Sequence, residues 1–225
     1  MVFITTLINN LPTFMQALLL TLELAAVSIL LATVLGVIFG LFTVSNFRPL
    51  QALSVIYIDM IRGTPLLVQT FIIYYGLAQT LRPIGFSWAE IGGPFTAGCV
   101  ALSLNAGAYM AEIIRGGIEA VDRGQMEAAR SLGLSYATTM RKVVLPQAFT
   151  MMLPSMINQF IITLKDTSIL STIGFPELTN VGKTIAGNTF KVLESWAIVA
   201  VMYLIVITLL SKVAKRIERS VNRGR

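Results

Sequence analysis

Five stretches of the chain, 14–44, 66–81, 95–111, 147–164 and 196–211, are almost free of charge, Glu23 in the first being the one exception. A helix needs about 20 predominantly apolar residues to cross the hydrocarbon core of a bilayer. Helices buried in a large soluble core would instead show polar faces at about 3.6-residue spacing where they meet water. These runs mostly lack such faces. The pattern predicts an all-α integral membrane protein of about five transmembrane helices, near 13–43, 53–81, 95–118, 147–165 and 194–212.

Composition sharpens this picture. Of 225 residues, 55% are hydrophobic and 12% charged, against roughly 25% charged in a soluble domain. Cys99 is the single cysteine, so no disulfide forms within the chain. Histidine is absent, which removes the commonest metal ligand and the usual general base. Neither zinc nor triad chemistry is expected, no metal site is assigned, and no catalytic residue is assigned. The amino terminus lacks the basic segment of a cleavable signal, and the first helix runs too long for one. No repeat or low-complexity linker interrupts the chain, so residues 1–225 read as one domain.

Charge sets an expected orientation. With five helices and the amino terminus outside, twelve of the 17 Lys and Arg fall on the inside, four (Arg82, Lys165, Lys183, Lys191) fall outside, and Arg62 lies within the second helix. Positive residues collect on the cytoplasmic side, so the expected topology is N-out, C-in. The same topology accounts for the net charge of +6, with anionic membrane lipid as the partner of the basic tail. Nucleic acid is not an expected partner, because the basic residues flank membrane helices.

Polar residues inside the apolar runs are the candidates for chemistry. The first helix carries Gly36 and Gly40, a pair that lets helices approach closely. In the second, Asp59 and Arg62 are three apart and able to pair, and Pro65 is expected to kink the helix near the inner gate. The third carries Asn105, Tyr109, Glu112 and Gly116, and the fourth Ser155, Gln159, Thr163 and Asp166, each set at spacings of three or four. Such spacing confines each set to one helical face. Ionisable groups at membrane depth are costly and face a bundle interior or a wet cavity. The stripes are therefore either a polar substrate pathway or interhelical hydrogen bonding. Likewise Glu112 pairs with Arg115 or meets substrate, and Asp166 caps the outer segment 166–193 or meets substrate. That segment reads as a short helix or a re-entrant cap over the cavity.

Residues 125–148 (QMEAARSLGLSYATTMRKVVLPQA) break the pattern with a short charged helix. Gly133 suits the left-handed position that ends a helix, Ser135 suits the N-cap of the next, and Pro146 bends the chain into the fourth membrane helix. Glu127 and Arg130 are spaced to pair with each other or with a partner, while Ala128 and Ala129 keep the surface flat. EAA at 127–129, three residues, Gly133, nine residues and then Val143-Val144-Leu145-Pro146 resembles the EAA loop of ABC importer permeases, with Val143 where the family has Ile. RGTPLLVQ (62–69), LNAGAYMAEIIRG (104–116) and LKDTS (164–168) resemble the polar amino-acid uptake branch of that family.

The resemblance implies the transmembrane subunit of an ATP-driven amino-acid importer in a bacterial inner membrane. Its coupling loop, near 119–146, would use Glu127, Ala128, Ala129, Arg130 and Gly133 to seat in a cytosolic ATP-binding subunit. That partner would bind ATP and Mg, since this chain has no GxxxxGK[ST] loop and needs no cofactor of its own. A second permease subunit, as a homodimer or a related heterodimer, and an extracytoplasmic binding protein complete the expected partners. The candidate contacts to the amino-acid substrate are Asn105, Glu112, Gln159, Asp166, Thr167 and Ser168, with Asp59, Arg62 and Pro65 at the gate. The alternative is a secondary amino-acid carrier without an ATPase partner; such carriers are commonly built from inverted repeats, and none is visible here.

Overall fold

The computed structural model describes residues 2–222, and within them all regular structure is helical. Of the basic tail, Arg223 and Arg225 lie outside the described residues. α1 (Val2–Thr43) begins about ten residues before the expected start and carries Pro12 within it. Asn9, Asn10 and Pro12 read locally as a break, but packing outweighs them. Phe3 and Leu7 pack against a buried cluster of Phe14, Ile198 and Val199, and Asn10 Nδ2 donates back to the Thr6 carbonyl at 2.9 Å.

α2 (Arg48–Arg62) starts at Arg48 with Pro49 in its first turn, where a missing N–H costs no helix bond. The expected kink at Pro65 is a break. The chain turns by 102° between α2 and the segment Leu66–Ile84, which contains α3 (Leu66–Phe71), a wide π turn (Ile72–Gly76) and α4 (Leu77–Leu81). Trp88, in the following loop, donates its indole N–H to the Ile73 carbonyl within that π turn at 3.1 Å.

α5 (Gly93–Glu119) is the central helix, with fifteen buried residues including Cys99. Its longest contact is with α1. A Cβ on Gly36 would stand 2.4 Å from the Met110 Cβ, and one on Gly40 would stand 2.9 Å from the Ile114 Cβ. The small-residue pair read from sequence is where the two backbones close on each other. α2 is tied to both helices: the Ser54 hydroxyl donates to the Phe39 carbonyl at 2.6 Å and the Tyr57 hydroxyl to the Leu104 carbonyl at 2.7 Å.

Beyond α5 come α6 (Arg123–Ser131), the single turn α7 (Tyr136–Thr139) and a second π turn (Met140–Val144), leading into α8 (Leu145–Asp166). A 3₁₀ stretch (Thr167–Ile173) and α9 (Leu178–Thr189) form the segment read as a short helix or cap. α9 packs on α1 and on α10 (Val192–Asn222), so it is a short helix at the side of the bundle. Glu177, fully buried, caps α9 by accepting the Thr179 and Asn180 amides at 2.7 Å each and the Tyr203 hydroxyl at 3.1 Å. Among the described residues three helices, α1, α5 and α10, are long and apolar enough to cross a membrane, or four when the bent pair is one span. α8 is the remaining member of the expected five. Its 22 residues are long enough, but its polar stripe lowers its hydropathy.

Candidate functional site

The break after α2 opens a cavity of ≈ 570 Å³ between α2, α5 and α8, within the range of small-molecule sites. Arg62, Gly63, Thr64, Pro65 and Leu66 line it from the break, Asn105 and Tyr109 from α5, and Gln159, Ile162 and Asp166 from α8. The two polar stripes read from sequence, on separate helices, thus converge on one space. Asn105 and Gln159 are each buried, and both side chains front the cavity.

The break is held by Gln69, to which the sequence assigns no role beyond its place at the end of RGTPLLVQ. Gln69 Nε2 donates to the Ile61 carbonyl at 2.7 Å, the Thr64 carbonyl at 3.0 Å and the Thr64 hydroxyl at 2.9 Å. Its Oε1 accepts from Asn105 Nδ2 at 3.0 Å. A lone Gln in an apolar run has no spacing partner, so no periodic signal marks it. The neighbouring carbonyls that it satisfies exist only because the helix is broken.

Three candidate contacts stand elsewhere. Glu112 does not line the cavity. It lies seven residues beyond Asn105, about 10 Å along the helix at 1.5 Å per residue, and receives both Arg115 and Arg62. Arg62 lies 3.7 Å from Glu112, so among the described residues its ion-pair partner is Glu112 rather than Asp59, correcting the pairing expected from their spacing. Its guanidinium also sits 5.4 Å over the ring of Tyr109. Thr167 is fully buried and donates to the Leu164 carbonyl at 2.7 Å. Ser168 is half-buried on the 3₁₀ stretch, outside the cavity wall.

The second feature is the loop between α5 and α8. Asp122 caps α6 by accepting the Gly124 amide at 2.6 Å. Gly133 sits at φ +84°, in the left-handed region its place after a helix requires, and Ser135 caps α7 through the Thr138 amide at 3.3 Å. Ala129 is buried against the bundle, while Glu127, Ala128 and Arg130 face outward. Arg130 donates to the Leu134 carbonyl at 3.2 Å and makes no ion pair with Glu127 among the described contacts. Leu132, which no sequence signal singled out, is 84% exposed at the tip beside Gly133. A larger cavity of ≈ 790 Å³ lies between this loop and the turn between α1 and α2, while Met126 of α6 packs on the core cluster of α5 and α8.

A helical membrane bundle with a polar cavity at a broken helix and a bent, outward-facing loop defines a membrane transport subunit. The chain belongs to the family of binding-protein-dependent transport system inner membrane components, which it matches over residues 32–223. It is 36% identical to the arginine transport system permease protein ArtQ of Bacillus subtilis, covering 94% of each chain. It is 38% identical to the glutamine transport system permease protein GlnP of Escherichia coli, covering 92% of each. The crystal structure of an amino acid ABC transporter with histidines matches at a TM-score of 0.88 and 40% identity, over 96% of this chain and 97% of that one. Membership of this importer permease family sets aside the secondary carrier. As an inner-membrane permease, the subunit forms the path and is not itself the catalyst.

Proposed function

We propose that this chain is one of two permease subunits of an amino-acid importer, that it lies N-out and C-in, and that the cavity at the α2 break is the transit site for the amino acid. The observation that carries the reading is the convergence of Arg62, Asn105, Gln159 and Asp166 on one cavity. A free amino acid presents a carboxylate and an ammonium group. Arg62 supplies the charged donor for the first, and Asp166 with the amide oxygens supplies acceptors for the second. Charged hydrogen bonds of this kind are the stronger class. Glu112 then serves by holding Arg62, and Thr167 and Ser168 by shaping the end of α8. The arginine and glutamine named for the relatives share this zwitterionic head, which fits a polar or basic amino acid.

The loop near 119–146 is the coupling element. Glu127, Ala128, Ala129, Arg130 and Gly133, with the exposed Leu132, form a compact surface that a groove of a cytosolic ATP-binding subunit would receive. ATP and Mg would be held by that subunit, a second permease chain would complete the channel, and an extracytoplasmic binding protein would deliver substrate. The test is reconstitution of the permease with its ATPase and binding protein in liposomes, measuring which amino acids stimulate ATP hydrolysis and uptake. Uptake by the permease alone, driven by an ion gradient, would overturn the reading.

A further inference from the structure

The hydrogen-bond chain from the α2 break to the cavity has only one possible polarity. The Ile61 and Thr64 carbonyls can only accept, and both point at the Gln69 amide, at 2.7 and 3.0 Å. Gln69 must therefore turn its nitrogen toward the break and its oxygen toward α5. That oxygen needs a donor, and Asn105 Nδ2 meets it at 3.0 Å. With one N–H of its amide engaged at Gln69, Asn105 has a fixed orientation, and its carbonyl oxygen is the acceptor it has to offer the cavity it lines. Gln159, on the opposite wall, makes no side-chain bond among the described contacts, so its amide is free to turn either way; Asn105 is not.

We propose that Gln69 is a positioning residue that holds the Asn105 amide with its oxygen in the cavity, so that Asn105 accepts from the ammonium group of the substrate. The proposal rests on the reading of this cavity as the amino-acid transit site. The backbone break thereby writes the charge preference of a side chain two bonds away. An unpinned asparagine would offer nitrogen or oxygen with little distinction and would discriminate weakly between a cationic and an anionic group.

The experiment uses the permease–ATPase complex in nanodiscs without binding protein. Calorimetry measures binding of whichever of L-arginine and L-glutamine the complex takes up, alongside its analogue lacking the α-ammonium group and its analogue lacking the carboxylate. The wild type is expected to favour the parent amino acid over both. In Gln69→Met the preference over the analogue lacking ammonium falls about tenfold, the effect of one charged hydrogen bond, while the preference over the analogue lacking carboxylate holds. Asn105→Ala shows the same fall, and the double variant falls no further, because coupled residues are non-additive. Gln69→Leu, a second apolar replacement that removes both the donor and the acceptor, is expected to show the same fall and serves if Gln69→Met fails to assemble.

An unchanged preference in Gln69→Met or Gln69→Leu beside a loss in Asn105→Ala overturns the positioning role, as do additive losses. A wild type that prefers the parent over neither analogue overturns the transit-site reading as well.

Discussion

The Arg62 guanidinium lies 3.7 Å from the Glu112 carboxylate. Glu112 is also held by Arg115, and Arg115 by Glu119, the last residue of α5. A ladder of alternating charge thus runs from the cavity wall to the start of the loop. The side chains are partly exposed, and such pairs are each worth about 0.2–1 kcal/mol. Glu112→Gln, whose amide oxygen still accepts from Arg62, is expected to lower stability by about that range for each of its two pairs and to leave substrate preference as it is. Asp166→Asn, inside the cavity, is expected to reduce transport at saturating loaded binding protein by tenfold or more, about 1.5–3 kcal/mol for a lost charged hydrogen bond. Equal effects of the two substitutions in reconstituted uptake would place Glu112 in the site after all.

Glu127 and Leu132 stand exposed on the same projecting loop. Glu127→Lys and Leu132→Asp are each expected to lower uptake and substrate-stimulated ATP hydrolysis together, with normal amounts of permease in the membrane. Pull-down of the ATPase subunit checks the cause: binding weakens in both. Wild-type coupling in both variants would remove the loop from the interface.

Gly133 at φ +84° has open space around its Cβ position. Its substitution is opposed by backbone strain and not by crowding. Gly133→Val is expected to cost about 1–2 kcal/mol locally and to uncouple ATP hydrolysis from uptake with little change in the melting temperature of the bundle, since the added side chain meets no neighbour at its Cβ. A circular-dichroism melt beside the ATPase assay separates these outcomes.

Gly36 and Gly116 are a matched pair for packing. A Cβ at Gly36 meets the Met110 Cβ at 2.4 Å, while one at Gly116 meets nothing within 4 Å. Gly36→Ala is expected to destabilise by about 1–3 kcal/mol through overpacking. Gly116→Ala is expected to be neutral or to stabilise by about 0.5–1 kcal/mol through better helix propensity. Thermal melts of both in the same detergent decide it, and a tolerated Gly36→Ala would mean that α1 and α5 yield to each other more easily than their contact implies.

The parts of this protein written in short-range code were readable. The 127–146 motif has fixed spacing, so Gly133 and Ser135 fell where a helix end and the next N-cap were expected. The stripes of α5 and α8 obey helical periodicity, and that periodicity alone marks Asn105, Gln159 and Asp166. Long-range code was not readable. Nothing near Phe3 reveals that Ile198 and Val199 will pull it into a helix across Pro12. Proline at position 65 announces an interruption but not an angle of 102°. Gln69 gains its role only from the carbonyls that this interruption turns toward it. Glu112 shares a face with Asn105, yet the spacing that sets it about 10 Å further along the helix does not reveal where along α5 the cavity ends.

The glycine contacts between α1 and α5 restrict how the protein is able to move. Gly36 lies against Met110, Gly40 against Ile114, and Gly107 within 2.9 Å of Leu35 for any added Cβ. Three such engagements act as teeth on a rack: partial slippage drives a side chain into backbone, because packed interfaces step between discrete fits and do not shear smoothly. The two helices therefore travel as one stiff strut. The strain of a transport stroke would then fall on the joints that remain, the break at Gly63–Pro65 and the wide turn at Met140–Val144, one at the proposed transit site and the other at the end of the proposed coupling loop.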